Sequence, residues 1–275
     1  MRKLRILQAQ IMVPDKKEDA VRLLEKACAK AEEEKADIAA LPEMFCCPYD
    51  NACFPQYAEE EGCRIWQACS DAAAKHGVWL SAGTMPELGA DGKIYNTAYV
   101  FDREGRQAAK HRKMHLFDVD IEGGQHFHES DTLSPGNKVT VFDTEFGKMG
   151  LCVCYDFRFP ELGRLMALEG AVAVLVPAAF NLSTGPKHWE LMFRAQAMFN
   201  QLFAIGTAPA RDMAAAYHSW GHSIVTDPWG AVVSHMDEKE GLRLTDIDID
   251  LVSEVREQLP LLKHRRGDIY SLEKL

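Results

Sequence analysis

Two cysteines one residue apart, Cys152 and Cys154, stand in GLCVCYDFRFPE where an apolar run stops and charges begin. Strand alternation puts both on one face with Val153 opposite, and Cys154, nearer the strand end, is better placed to meet a substrate. The positive end of a following helix and a nearby lysine would favour its thiolate and make it a nucleophile. Both can equally be small core residues, because free cysteine is among the most buried residue types. With His126 and His128 of HFHES they would form a zinc-like set, yet the C-x2-4-C spacing is missing. A C-x-C on one strand also points along the sheet rather than round an ion. A disulfide between them is disfavoured by their closeness in sequence.

A cysteine nucleophile needs a base. His115, His188 and His222, three of ten histidines, are conceivable partners, but nothing in the sequence selects one. Glu43 stands out because Leu-Pro-Glu leaves a carboxylate at the end of an apolar strand, where desolvation would make it a stronger general base. Its bland alternative is an exposed loop glutamate. Lys113, in HRKMHLF, is one cation among several, and Glu129 sits in a polar stretch between two hairpins.

These residues must be positioned by the elements around them. LRILQAQI alternates as a strand, VRLLEKACAKAEEE repeats at helical intervals, and DIAALPEMF is a short strand ending at Pro42–Glu43. IWQACSDAAAKHG reads as a helix closed by Gly77, followed by the strand VWLSAGTM. IYNTAYVFD and QAAKHRKMHLF form a hairpin around DREG, and KVTVFDT pairs with KMGLCVCYD around EFG. PELGRLMALEG and KHWELMFRAQAMFNQ are helices; AVAVLVPAAF, LFAIGTAPA and HSIVTDPWGAVV are strands. Alternating strands and helices mixed with hairpins give a layered α/β fold with a mixed sheet. In such folds functional side chains gather where strands end and helices begin, as Glu43, Lys113 and Cys154 do.

Net charge is −10, from 31 Lys and Arg against 41 Asp and Glu, spread along the chain. A nucleic-acid surface would need a basic stripe, and the only basic cluster, Lys263 to Arg266, is short. MRKLRILQAQ lacks a long apolar segment and no run is long enough to span a membrane, so a cytoplasmic protein with reduced cysteines is expected.

Taken together, LPEMF, HRKMHLF and CVCYDFRFPE resemble the three signature segments of the nitrilase superfamily of carbon–nitrogen hydrolases, in that family's order. HFHESDTLSPG is similar to its segment carrying a second glutamate. PAAFNLSTGPKHWELMFRAQA, TAPARD and SWGHSIVTDPWG look most like the omega-amidase branch. The resemblance implies an α-β-β-α sandwich with mixed sheets, one hydrolase domain over residues 1–275, and homodimers or larger even assemblies. It implies a triad of Glu43, Lys113 and Cys154 with Glu129 as auxiliary glutamate, and leaves Cys152 as a core residue on the same strand. Such a set needs neither metal nor organic cofactor. Lys113 and the backbone N–H of Tyr155 would hold the oxyanion. The substrates implied are small monoamides of dicarboxylates, namely 2-oxoglutaramate, 2-oxosuccinamate and succinamate. Their carboxylate calls for a cationic clamp, for which Arg158 and Arg211 lie in family-like segments; Tyr49, Phe180, Asn181 and Thr207 would shape the rest of the wall. For Arg158 an ion pair with Asp156 or Glu161 is the alternative. Another amidase or an N-carbamoyl hydrolase with the same triad is the alternative activity.

Overall fold

In the computed structural model, which describes residues 2–122 and 126–274, strand–helix alternation becomes two sheets with helices on their outer faces. The chain runs through β1 (Lys3–Gln10), α1 (Lys17–Glu33), β2 (Ile38–Ala40), α2 (Phe54–Tyr57), α3 (Arg64–His76), β3 (Trp79–Leu88), β4 (Ile94–Phe101) and β5 (Gln107–Arg112). A two-stranded ribbon, β6 (Asp118–Asp120) with β7 (His126–His128), leads into a 3-10 turn at Glu129–Asp131. Then come β8 (Thr140–Thr144), β9 (Gly147–Leu151), a second 3-10 turn at Cys154–Arg158, α4 (Pro160–Leu168), β10 (Ala173–Pro177), α5 (Gly185–Asn200) and β11 (Phe203–Thr207). β12 (Ile224–Thr226), β13 (Val232–His235), β14 (Gly241–Asp248) and α6 (Asp250–Gln258) complete it.

The strand orders are β14-β1-β2-β3-β4-β5 and β13-β12-β11-β10-β9-β8. Read from β14 and from β8, the successive pairs are antiparallel, parallel, parallel, antiparallel and antiparallel in both sheets. α1 buries Ala20, Leu24, Ala27, Cys28 and Ala31, and α3 buries Ile65, Cys69, Ala72 and Ala73. That is the spacing of one helical face, and its small side chains let both helices lie close on the first sheet. α5 turns Trp189, Phe193 and Ala197 towards the second sheet by the same rule. Between the sheets, Leu4, Ile6 and Ile38 share one buried cluster with Met149, Leu151, Leu175 and Ile205. Each such side chain contributes roughly 1.5–3 kcal/mol by leaving water. The layers are those of an α-β-β-α sandwich.

Structure and sequence pattern part at CVC. Cys152 N–H still bonds Leu175 O, at 3.2 Å, but β9 stops at Leu151, and Cys154 takes a left-handed φ of 48° to open the second 3-10 turn. Cys152 is fully buried, as expected, but off the strand, and alternation does not govern Cys154. Glu129, expected in a polar loop, is fully buried in a 3-10 turn.

Candidate active site

Four segments converge at the ends of β2, β5, β9 and β10. After β2 the chain is pinned by a bulge in β3, where Leu41 N–H bonds Ser81 O at 2.9 Å and Thr84 N–H bonds Pro42 O at 3.2 Å. Gly83 has a φ of 59° here, and a Cβ on it would stand 2.0 Å from Pro42 O, so only glycine fits. Met44 N–H bonds Thr84 Oγ1 at 2.8 Å and fixes the residue after Glu43. Lys113 follows β5 directly; its N–H bonds Asn96 O and its carbonyl accepts from Gly136, both at 2.8 Å.

The Cys154 turn is tied to the lysine segment through one buried carboxylate. Asp156 accepts from Val153 N–H (3.0 Å), Met114 N–H (3.1 Å) and His115 N–H (2.8 Å), and its oxygens also meet ring nitrogens of His111 (3.0 Å) and His115 (2.8 Å). The turn's first internal bond runs from Asp156 N–H to Val153 O, leaving the Tyr155 N–H ahead of it outside the turn's own bonding.

At the centre Lys113 Nζ lies 3.0 Å from Glu43 Oε1 and 2.8 Å from Glu129 Oε1, with all three side chains fully buried. Glu43 Oε1 also accepts from Asn96 Nδ2 at 2.9 Å and Tyr49 Oη at 3.2 Å, and its Oε2 accepts from Ala179 N–H at 2.8 Å. Glu129 accepts from Tyr49 Oη at 2.5 Å and, through Oε2, from Phe117 N–H at 2.7 Å. Burial works against the Lys113 charge, but Glu129 and Glu43 outweigh it and hold the ammonium charged well above its ordinary range. The Cys154 thiol is pushed well up, first by burial and then by the Glu43 charge, against the opposing pull of Lys113. It rests as a thiol in hydrogen-bond contact with Glu43, not as the thiolate that a lysine and a helix end would favour. A protonated sulfur beside a carboxylate, with a fixed ammonium and the backbone N–H of Tyr155 at the head of the turn, is a set suited to acyl transfer.

The predicted wall residues separate into three groups. Arg158 and Phe180 line the small cavity of about 10 Å³ at Cys154, together with Phe117, Thr184 and Tyr217. The Arg158 guanidinium lies 4.3 Å over the Phe180 ring and 2.9 Å from His188 Nδ1, and its Nε is buried without a partner. No ion pair joins it to Asp156 or Glu161: Asp156 is occupied by the lysine segment, and no carboxylate reaches Arg158 among the described residues. Tyr49 belongs to the Glu43–Glu129 network itself. The other three are engaged elsewhere. Arg211 bonds Trp220 O at 3.0 Å, and Thr207 Oγ1 accepts from Gln8 Nε2 at 3.2 Å between the sheets. Asn181 Oδ1 accepts from Ser183 and Thr184 N–H at 3.1 and 2.8 Å, shaping the entry to α5.

Sequence reasoning missed Phe117, Ala179, Thr184, Asp156 in its tying role, and Tyr217. Only Asn96 left a trace, as an amide within the strand-like IYNTAYV. Of the histidines, His115 stacks on Phe159 at 3.7 Å, His188 faces Arg158, and His222 stacks with Trp220 at 4.2 Å. His126 and His128 each bond Asp120 across the ribbon, away from the buried cysteines, and among the described residues no group of three or more such side chains could hold a metal ion.

The carbon–nitrogen hydrolase family model matches residues 3–257. The chain belongs to the carbon–nitrogen hydrolase family. It is 43% identical over 272 residues to the omega-amidase NIT2 of Mus musculus, covering 98% of this chain and 97% of that one. A Schizosaccharomyces pombe protein named as a hydrolase is 47% identical, over 98% of this chain and 84% of its own. The crystal structure of Saccharomyces cerevisiae Nit3, a member of branch 10 of the nitrilase superfamily, superposes with a TM-score of 0.88 at 37% identity, covering 96% and 97% of the two chains. The expected nitrilase-type sandwich and membership of a family of carbon–nitrogen hydrolases are thereby established for this chain.

Proposed function

We propose that this hydrolase is of the omega-amidase type, releasing ammonia from short monoamides of dicarboxylates such as succinamate, 2-oxoglutaramate and 2-oxosuccinamate. The observation that carries the reading is Arg158: a largely buried guanidinium with no carboxylate partner faces the same small cavity as the thiol. Burial alone pulls it below its ordinary range, a cost that a bound carboxylate would offset. The 43% identity to an omega-amidase supports the same reading.

Glu43 takes the thiol proton as Cys154 Sγ attacks the amide carbon. The carbonyl oxygen gains the electron pair and is held by the Lys113 ammonium and the Tyr155 N–H. Collapse breaks the C–N bond while Glu43 returns the proton to nitrogen, which leaves as ammonia and gives a thioester. Glu43 then deprotonates water, which attacks the thioester. The acid departs and the thiolate recovers its proton from Glu43. Glu129, bonded to Lys113 and Tyr49, fixes the ammonium at the oxyanion. Cys152 is a core residue and takes no part. No step needs a metal or an organic cofactor.

We read residues 1–275 as one hydrolase domain working in the cytoplasm as a homodimer or larger even assembly. Leu191, Met198 and Phe199 lie exposed on one face of α5, an apolar surface that a second copy would cover. All eight cysteines are free thiols, which suits a reducing compartment.

The test is ammonia release from succinamate and 2-oxoglutaramate by wild type, Cys154→Ala and Cys152→Ala. Activity lost only without Cys154 supports the proposal. Silence of the wild type on both amides overturns the substrate assignment, and equal loss in both variants overturns the nucleophile.

A further inference from the structure

The cavity at Cys154 is narrow, about 10 Å³. Beside it lies a cavity of about 390 Å³ that reaches Glu43 and Tyr49 and falls in the size range of small-molecule sites. The two cavities have two lining residues in common, Ala179 and Tyr217. Ala179 is immobilised, since its N–H is bound to Glu43 at 2.8 Å and it follows the buried strand β10. Tyr217 is held differently. It sits in an irregular stretch whose preceding residues, Ala214 to Ala216, are exposed. Its ring is kept in place by a tilted contact with Tyr49, centroids 4.6 Å apart, an edge contact with Phe127 at 6.4 Å, and a hydrogen bond from its hydroxyl to the Ala179 carbonyl.

We propose that Tyr217 is the gate of the thiol compartment and thereby decides which acyl groups reach Cys154. Swinging its ring away breaks the hydroxyl bond and the ring contacts with Tyr49 and Phe127 and joins the two cavities. The space added is walled by Met44, Cys47, Pro48, Pro209 and Ala210, with Asp50 and Asp212, and among the described residues no lysine or arginine lines it. With the ring in place, acyl groups are confined to the short space facing Arg158. With the ring removed, longer uncharged groups gain room while a second carboxylate does not. Tyr217 is thus a specificity-determining residue, outside the set that moves protons.

The inference rests on Cys154 being the nucleophile, and its test does not need turnover. Wild type, Tyr217→Phe and Tyr217→Ala are treated with haloacetamides of increasing N-substituent size, and labelling of Cys154 is read by peptide mass. In wild type the rate falls steeply with reagent size. Tyr217→Phe keeps the ring and loses its latch, so all reagents label faster by a similar factor, up to about tenfold for one lost hydrogen bond. Tyr217→Ala flattens the size dependence, and Tyr217→Leu serves in its place if the alanine variant does not fold. In the amidase assay the same variant raises kcat/KM for longer uncharged amides relative to succinamate. An unchanged size profile in the small-side-chain variant, or a wild type labelled equally fast by large and small reagents, overturns the proposal. A flattened labelling profile in a protein inactive on both monoamides would sink the substrate assignment and leave the gate standing.

Discussion

Asp156→Asn removes the charge from the carboxylate that binds the nucleophile's turn to the lysine segment, with almost no change in shape. Asparagine keeps one acceptor oxygen and replaces the other with an NH₂. If the oxygen faces Met114 and His115, the NH₂ meets the Val153 N–H, donor against donor, where a 3.0 Å hydrogen bond stood. Orphaning that buried N–H costs about 1–3 kcal/mol, and the surviving bonds lose charge assistance worth roughly 1 kcal/mol each, for a total near 3–5 kcal/mol. For a chain of this length that lowers Tm by roughly 6–10 °C. Release of Val153 also displaces the Tyr155 N–H, and a lost oxyanion donor lowers kcat by about 10²–10³ with a smaller effect on KM. Burial raises the Asp156 carboxyl, but hydrogen bonds from His111 and His115 prevail and hold it well below the usual carboxylate range. A depressed folded-state value stabilises above the unfolded pKa of about 3.9 and is lost only as pH falls through the folded value. Urea unfolding of wild type and variant should therefore show a gap that narrows as pH falls below about pH 4. Unfolding free energies within about 0.5 kcal/mol of each other at neutral pH would refute the tying role.

Lys113→Met leaves two buried carboxylates without their shared ammonium and is expected to cost about 3–5 kcal/mol by chemical denaturation. The same variant should lose at least about 10²-fold in kcat. Gly83→Ala forces a Cβ to 2.0 Å from Pro42 O at a φ of 59°, so a loss of about 2–4 kcal/mol in thermal unfolding is expected, with activity falling as Glu43 shifts. Arg158→Met should raise KM for succinamate about 10–100-fold, with a smaller rise for an uncharged amide of the same length.

What the sequence disclosed follows the range of the interactions involved. The β4–β5 and β8–β9 hairpins were readable because turn and strands lie within a few residues of each other. α3 announces its end through Gly77, left-handed at 60°. β14 escaped notice because its partner β1 lies more than two hundred residues away, and GLRLTDID has no strong alternation of its own. The run through CVC was misread for a related reason: hydrophobic periodicity cannot register that the chain must turn to a positive φ at Cys154. Glu43, Lys113 and Cys154 were legible as reactive side chains at strand ends and, through the family resemblance, as a triad. Glu129 carried no local sign of its burial. Tyr217 stands in an irregular loop, where no period exists to mark which side chain turns inward.

The two sheets with the same order of strand senses meet at this site, and neither holds it alone. Glu43 and Lys113 are carried by loops of the first sheet, Cys154 and Ala179 by loops of the second. During synthesis the base and the ammonium emerge well before the sulfur, and until the sheets dock, Cys154 is an ordinary cysteine. The site therefore exists only where the two sheets are packed together. In gentle denaturation, amide hydrolysis should vanish while helix and strand signals persist, making turnover the most sensitive indicator of the sheets coming apart.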